Sequence, residues 1–233
     1  MKRISVIIPV LNEAESIAQV VGEMPWDRIA ECIVVDNGST DGTGKIAAAA
    51  GARVVGSPRG YGAACKAGAD ASLATSDILL FMDGDGSDVI ADMDRLVGPI
   101  ERGEADFVIG SRLKVAGMRE SGSMLASQVF AGWVVGKLLW MTQRVRYTDM
   151  GPLRAIRRAS LESLQMTEMT YGWNLEMQIK ACQHGLRIEE IAVGYRRRFA
   201  GTSKVSGSFV ASVRAAVRIL EVLFRTGMSR RPR

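Results

Sequence analysis

Asp77-Ile78-Leu79-Leu80-Phe81-Met82-Asp83-Gly84-Asp85-Gly86 is a short apolar run that ends in two carboxylates flanking a glycine. An apolar run of this length, bounded by a polar turn, reads as a strand buried on both faces, the habit of a central parallel strand. Its carboxyl edge then carries Asp83 and Asp85, and that is the edge where open α/β sheets bind ligands. Two acidic side chains beside a flexible glycine are poor core material. They suit Mg²⁺ or Mn²⁺, hard cations that take oxygen ligands and leave positions open for phosphate.

Working outward, strand-like runs recur at residues 5–10, 31–35, 53–55 and 107–109, with helix-compatible segments at 14–23, 44–50, 61–71 and 91–100. Strand–helix alternation predicts an α/β fold with a mostly parallel sheet flanked by helices. A further helix at 175–184 stops at Gly185, suited to the left-handed position past a helix end, and a strand-like stretch comes next at 187–193. His184 reads as part of that helix end. Turn residues at 37–42 and 57–60 punctuate the pattern, so function concentrates in the loops after Val10, Val35, Val55 and Met82. Glu13 and Glu15 fall in the first turn of a helix, where acids complement the dipole. Asp36 ends the Ile33-Val34-Val35 run, where a carboxylate either accepts from a base or ribose or starts the turn. Asp88 is a further candidate ligand; Asp92 and Asp94 read as acids at a helix start.

The 233 residues suffice for one substantial core, and no low-complexity linker divides them. The expected division is a catalytic domain over 1–204 and an appendage over 205–233. The formal charge of +5 is unevenly placed: residues 196–233 hold 10 Lys/Arg against Glu221 alone, leaving the preceding residues net acidic. Residues 208–228 read as a helix with Phe209, Val210, Val213, Val217, Leu220, Leu223 and Phe224 on a broad apolar face and Arg214, Arg218 and Arg225 on or beside the other. Such a basic amphipathic helix suits an anionic membrane surface. Packing on the domain or on a second copy, giving a homo-oligomer, is the equal alternative. The few aromatics in the tail argue against nucleic acid as a partner. The sequence opens on Ile4-Ser5-Val6-Ile7-Ile8 without a charged-then-apolar leader, and no stretch has the length and apolarity of a bilayer span. Cys32, Cys65 and Cys182 are odd in number and widely spaced, as expected of reduced thiols rather than disulfides. The expected location is cytoplasmic, peripheral to the cytoplasmic membrane face. Residues 124–141, with Trp133 and Trp140, either border an apolar groove or pack internally.

Three stretches, Val6-Ile7-Ile8-Pro9-Val10-Leu11-Asn12-Glu13, Val34-Val35-Asp36-Asn37-Gly38-Ser39-Thr40-Asp41-Gly42-Thr43 and Met82-Asp83-Gly84-Asp85, resemble in order and spacing the family 2 glycosyltransferases of the GT-A fold. The similarity continues toward dolichyl-phosphate mannose synthases and bacterial polyprenyl-phosphate sugar transferases in Gly110-Ser111-Arg112, in residues 148–155, at Glu176, and in Arg198-Phe199-Ala200-Gly201-Thr202-Ser203-Lys204. The resemblance spans about residues 4–204. It implies that Pro9, Asn12, Glu13 and Asp36 hold the nucleotide of a sugar donor, that Asp83 and Asp85 hold metal and diphosphate, and that Arg112 faces the transferring sugar or an acceptor phosphate. Arg198, Ser203 and Lys204 would belong to a loop over the diphosphate, where charge-assisted bonds are strong. It also implies inversion by direct displacement, with Asp85 and Arg112 in the reacting centre. This chain departs from the branch at Gly151-Pro152-Leu153-Arg154, where Ser-Gly-Phe-Arg is common, and in lacking an Arg or His before Ser127. Asn174 occupies the place of a catalytic base, and an amide takes no proton. Either the acceptor is already ionised, as a lipid-linked phosphate is, or Glu176 or Asp149 serves a hydroxyl acceptor.

Overall fold

The structure, a computed structural model of the chain, describes residues 3–115, 117–124, 126–143, 145–200, 218 and 221–226. The apolar run around Leu80 is β4 (Ile78–Phe81), every residue of it buried. It pairs in parallel with β1 (Ile4–Val10), which pairs on its other side with β2 (Glu31–Asp36), and β2 carries β3 (Arg53–Gly56). Alternation along β1 splits the core. Ile4, Val6, Ile8 and Val10 face α1 (Ile17–Gly22), α2 (Thr43–Ala49) and α4 (Met93–Glu101), whereas Ile7 faces the opposite layer. That layer contains α3 (Tyr61–Ala71), α5 (Ala126–Gln143), α6 (Arg158–Leu164) and α7 (Trp173–Gln183).

The chain order β1-β2-β3 runs one way from β1, and β4 then lies on its other flank, so the loops after β1 and β4 diverge. This is the switch point at which open sheets leave a crevice. Pro9 is tolerated there for a topological reason. The carbonyls of Ile4 and Val10 face β2, that of Ile7 faces β4, and by alternation the N of Pro9 faces the β4 side. Because β4 ends at Phe81, opposite Ile7, no ladder donor is lost.

The full sheet has seven strands in the order β3-β2-β1-β4-β6-β5-β7, where β5 is Phe107–Ser111, β6 is Arg154–Arg157 and β7 is Ile188–Ala192. The expected mostly parallel sheet is present, with one correction: β6 lies antiparallel to both β4 and β5. Its sequence, Arg-Ala-Ile-Arg, looks like surface, yet Arg154 is fully buried because its guanidinium donates to the carbonyls of Gly151 and Asn174. The helices α5 and α6 also lie outside the alternation seen in the sequence. Residues 126–143 carry Lys137 as their one charge and show no single apolar stripe. No helix among the described residues is long and apolar enough to cross a membrane.

Of the C-terminal segment, residues 218 and 221–226 are described and helical, and the rest, with the 204/205 boundary, lies outside them. Val222, Leu223 and Thr226 are buried against the domain while Phe224 is exposed. Arg218 and Arg225, expected opposite the apolar face, instead reach the buried carboxylate of Glu168.

The start of α3 fits against residues 168–170 through Gly62. Its N–H donates to the Thr170 carbonyl at 3.2 Å, and a Cβ there would stand 2.2 Å from the Glu168 carbonyl oxygen. Gly62→Ala should therefore lower the urea midpoint without altering the slope, a loss of about 1–3 kcal/mol.

Candidate active site

The loop after β1 is tied to the loop after β2. Asn12 adopts a left-handed backbone (φ 52°), a conformation asparagine tolerates better than most residues. Its side-chain oxygen accepts from the Thr40 N–H at 2.8 Å and its own N–H donates to Ser39 Oγ. Asp41 accepts from Thr43 and from the N–H of Ala14, and Thr43 Oγ1 accepts from the N–H of Glu13. Asp36 Oδ1 accepts the Ser39 N–H at 2.7 Å, closing its own turn. The result is one rigid ledge. Pro9 and Glu13 stand in the cavity wall above it, and Asn12 and Asp36 brace it from beside.

The loop after β4 carries three acids. Asp85 is 3% exposed; its Oδ1 accepts from the Ser87 N–H and hydroxyl, and its Oδ2 pairs with Arg198. Asp88 Oδ2 accepts the Asp83 N–H at 2.9 Å, while its buried Oδ1 has no hydrogen-bond partner. Burial, then the neighbouring Asp88 and Asp85 charges, push the Asp83 carboxyl well above its ordinary range. Burial likewise raises Asp88 to about 7, its bond from the Asp83 backbone opposing and Asp85 adding to the rise. This concentration of hard oxygen and like charge fits a divalent cation. Among the described residues no three potential ligands cluster to hold a metal alone, so Asp83 and Asp85 offer an open shell that substrate oxygens could complete.

Arg198 arrives on the segment after β7, which folds back so that the Phe199 N–H donates to the Asp85 carbonyl at 2.9 Å. Ser203 and Lys204 lie outside the described residues. Arg112, just past β5, forms a two-pronged pair with Asp149 at 2.6 and 2.8 Å, and its guanidinium lies 4.9 Å from the Tyr195 ring centre. Asp149 also accepts the N–H groups of Arg112 and Met150, so both its oxygens are occupied. Glu176 stands apart: its side chain is 1% exposed and pairs with Lys180, Thr167 and the Glu168 N–H.

These groups surround a cavity of about 580 Å³ whose wall contains Pro9, Glu13, Asp83, Asp85, Arg112 and Arg198. Its carboxylates, Glu13, Asp83 and Asp85, all belong to the loops after β1 and β4. Asn174 faces the cavity without a side-chain oxygen partner. Four lining residues carry no functional signal of their own in the sequence. Asn37 stands in a turn within the second family-like stretch but is given no role there, and its Oδ1 accepts the Gly60 N–H at 3.0 Å. Tyr61 comes just after the loop that begins at Val55, and its hydroxyl donates to Asp83 at 3.4 Å. Tyr171 and Tyr195 give no local signal; they arrive from distant segments.

A second concavity of about 760 Å³ adjoins the first, and Arg112 lines both. Its wall is apolar, with Leu113, Val129, Trp133 and Trp140, and contains Arg119, Lys137 and Arg146 but, among the described residues, no carboxylate. Trp133 and Trp140 are 58% and 40% exposed, each with a cation over its ring. The segment at 124–141 thus borders a groove.

A family description, Glycosyl transferase family 2, matches residues 5–164. An uncharacterized glycosyltransferase of Mycobacterium tuberculosis is 38% identical over 94% of this chain and 97% of its own length. The polyprenol monophosphomannose synthase of Mycolicibacterium smegmatis is 31% identical over 89% of this chain and 82% of its own. Among solved structures, glucosyl-3-phosphoglycerate synthase from Mycobacterium tuberculosis, in complex with Mn²⁺ and UDP-glucose, aligns with a TM-score of 0.73. It is 25% identical, and the match covers 98% of this chain and 80% of that one.

The Arg112–Asp149 pair has a pH signature. Burial works to raise the Asp149 carboxyl, but the bonds and charge of Arg112 prevail and hold it below the ordinary range. A depressed folded-state pKa gives stability that is complete above the unfolded value, about 4, and is lost as pH falls through the folded one. Asp149→Asn should be destabilised at pH 7 by about 3 kcal/mol, the penalty for breaking a buried pair. Its urea midpoint should fall less steeply than the parent's below about pH 4.

Proposed function

Because this chain belongs to glycosyltransferase family 2, with the GT-A arrangement of its sheet, we propose that it moves a sugar from a nucleotide-diphosphate donor to a lipid-linked, polyprenyl-type phosphate, inverting the anomeric carbon. The observation that carries this reading is the position of Arg112 in the walls of both concavities. Nucleotide and diphosphate fit the first, whose acidic end matches a cation-bound donor. A hydrocarbon chain fits the apolar second, and its phosphate would meet the transferring sugar at Arg112. The similarity to a polyprenol monophosphomannose synthase supports the acceptor class.

Pro9 and Glu13, on the ledge braced by Asn12 and Asp36, would bind the nucleotide. Asp83 and Asp85 would hold Mg²⁺ or Mn²⁺, which when bound supplies Lewis-acid neutralisation of the diphosphate. The Mn²⁺ and UDP-glucose of the structural neighbour support that pairing. Arg198, paired with Asp85 in the free protein, would transfer to the diphosphate oxygens as charge grows there, with Ser203 and Lys204 as further members of its loop. An acceptor phosphate oxygen attacks the anomeric carbon and the nucleoside diphosphate leaves with the bonding pair. A phosphate monoester is already anionic at neutral pH, so no proton need be removed. That fits a cavity in which Asn174 is neutral, Asp149 is committed to Arg112 and Glu176 is buried elsewhere. Of the candidate catalytic acids, Asp149 then positions Arg112 and Glu176 has a structural role. The apolar groove and the basic tail suit work at an anionic membrane surface.

Labelled UDP-glucose and GDP-mannose, offered with Mn²⁺ and undecaprenyl phosphate, should give a chloroform-soluble product from one donor. Asp85→Ala should abolish it. The Trp133→Ala/Trp140→Ala variant should raise the KM for the lipid phosphate at least tenfold and leave nucleotide binding unchanged. Transfer to soluble hydroxyl compounds in preference to the lipid phosphate would overturn the acceptor. Because Arg198 occupies an oxygen of Asp85 that a cation needs, Arg198→Ala should bind Mn²⁺ about ten- to a hundredfold tighter without nucleotide, as read by calorimetry, the scale of one charge-assisted bond.

A further inference from the structure

Glu168 is a carboxylate with no exposed surface, and its cationic partners come from the far end of the chain. Arg218 donates to it at 2.9 Å and Arg225 at 3.0 Å, while Thr170, two residues on, donates through its N–H at 3.0 Å. Helical residues 221–226 pack closely on the same segment and on α7. A Cβ on Gly172 would stand 2.6 Å from Val222 Cγ2, and the Thr226 carbonyl accepts from Gln183 of α7 at 2.7 Å.

The segment so held is also a wall of the donor cavity. The carbonyls of Met169 and Thr170 accept from the N–H groups of Ala63 and Gly62 at 2.9 and 3.2 Å. Thr170 and Tyr171 line the cavity, as does Tyr61 on the adjoining turn of α3. The chain of contact is therefore short: tail arginines, Glu168, the 168–171 backbone, the start of α3, and the cavity.

We propose that the C-terminal helix is a working part of the donor site, with Glu168 a positioning residue through which Arg218 and Arg225 hold the 168–171 wall in register with α3. The physical reason is the asymmetry of buried charge. A buried carboxylate stripped of its cations is strongly destabilised where it stands, and the least costly response is for its segment to move toward water. Movement of residues 168–171 withdraws acceptors from Gly62 and Ala63 and shifts Tyr171 and Tyr61 together. The tail then contributes two of its positive charges inward, to nucleotide binding, rather than outward. This rests on the reading of the first cavity as the nucleotide-sugar site.

The test compares Arg218→Met/Arg225→Met and Arg218→Lys/Arg225→Lys with the parent, using hydrogen exchange and titration with UDP-glucose and GDP-mannose in Mn²⁺. In the methionine variant, amides in a peptide spanning residues 58–66 should exchange at least tenfold faster while β1 and β4 peptides keep parental rates. The Kd and KM for whichever donor the parent binds should rise five- to twentyfold, with kcat at saturating donor within twofold. The lysine variant should return to within threefold of the parent. Parental exchange at 58–66 and parental donor affinity in the folded methionine variant would overturn the proposal, as would uniformly faster exchange in every peptide. Should the double variant fail to fold, Arg225→Met alone, which leaves Arg218 on Glu168, takes its place, with two- to fivefold effects in the same peptides and the same Kd; parental values there would also overturn the proposal. If the parent binds neither nucleotide sugar, the donor-site reading fails by itself, and exchange at 58–66 still decides whether the tail sets that wall.

Discussion

Three carboxylates crowded at the end of one buried strand are the constraint around which this molecule is arranged. Asp83, Asp85 and Asp88 lie within six residues of sequence, and burial raises the free energy of the ionised forms of Asp83 and Asp88. Like charges in such a place are tolerated only where cations are supplied. The chain brings Arg112 from the end of β5 and Arg198 from beyond β7, and both act on this cluster. Arg112 in turn needs a partner that does not itself crowd the cavity, and Asp149 provides it from below. The distant parts of the fold are thus drawn together by the need to balance a charge that the first four strands create.

The half of this arrangement built on β1 and β4 was the more legible because its signals are local. A parallel strand announces itself by apolarity on both faces, and the loop at its carboxyl edge is contiguous with it, so Asp83 and Asp85 could be located from adjacent residues, while Pro9 and Glu13 came with the family resemblance. Asn12 and Asp36 were located equally well, yet each spends its oxygen on the backbone of a neighbouring turn. Turns and ligand sites favour the same residue types, and only geometry separates them.

The later half gave weaker signals for the opposite reason. β6 is four residues long with an arginine at each end, and nothing in that tetrapeptide reveals that Arg154 finds carbonyls to satisfy it inside. Tyr195 and Tyr171 reach the cavity through long-range packing that no sequence period encodes. Glu176 lies in the first turn of α7 much as a catalytic acid does, but it faces inward and caps the backbone at 167–168. The tail's periodicity left two readings open, a membrane surface or packing on the domain, and gave no sign that Arg218 and Arg225, seven residues apart, both reach Glu168.

A guanidinium that belongs to two cavities makes the pair of them a single thermodynamic object. Arg112 is held by Asp149 and lines both cavities, so its field reaches both. An anion that enters either cavity spends part of that field, and linkage requires the effect to be reciprocal. Two anions attracted to one cation also repel each other unless reaction joins or separates them. Departure of the nucleoside diphosphate would then favour retention of a phosphate in the groove, and arrival of the next donor would favour its release. Turnover order in such an enzyme would be written into the sharing of one side chain, with no moving domain needed to enforce it.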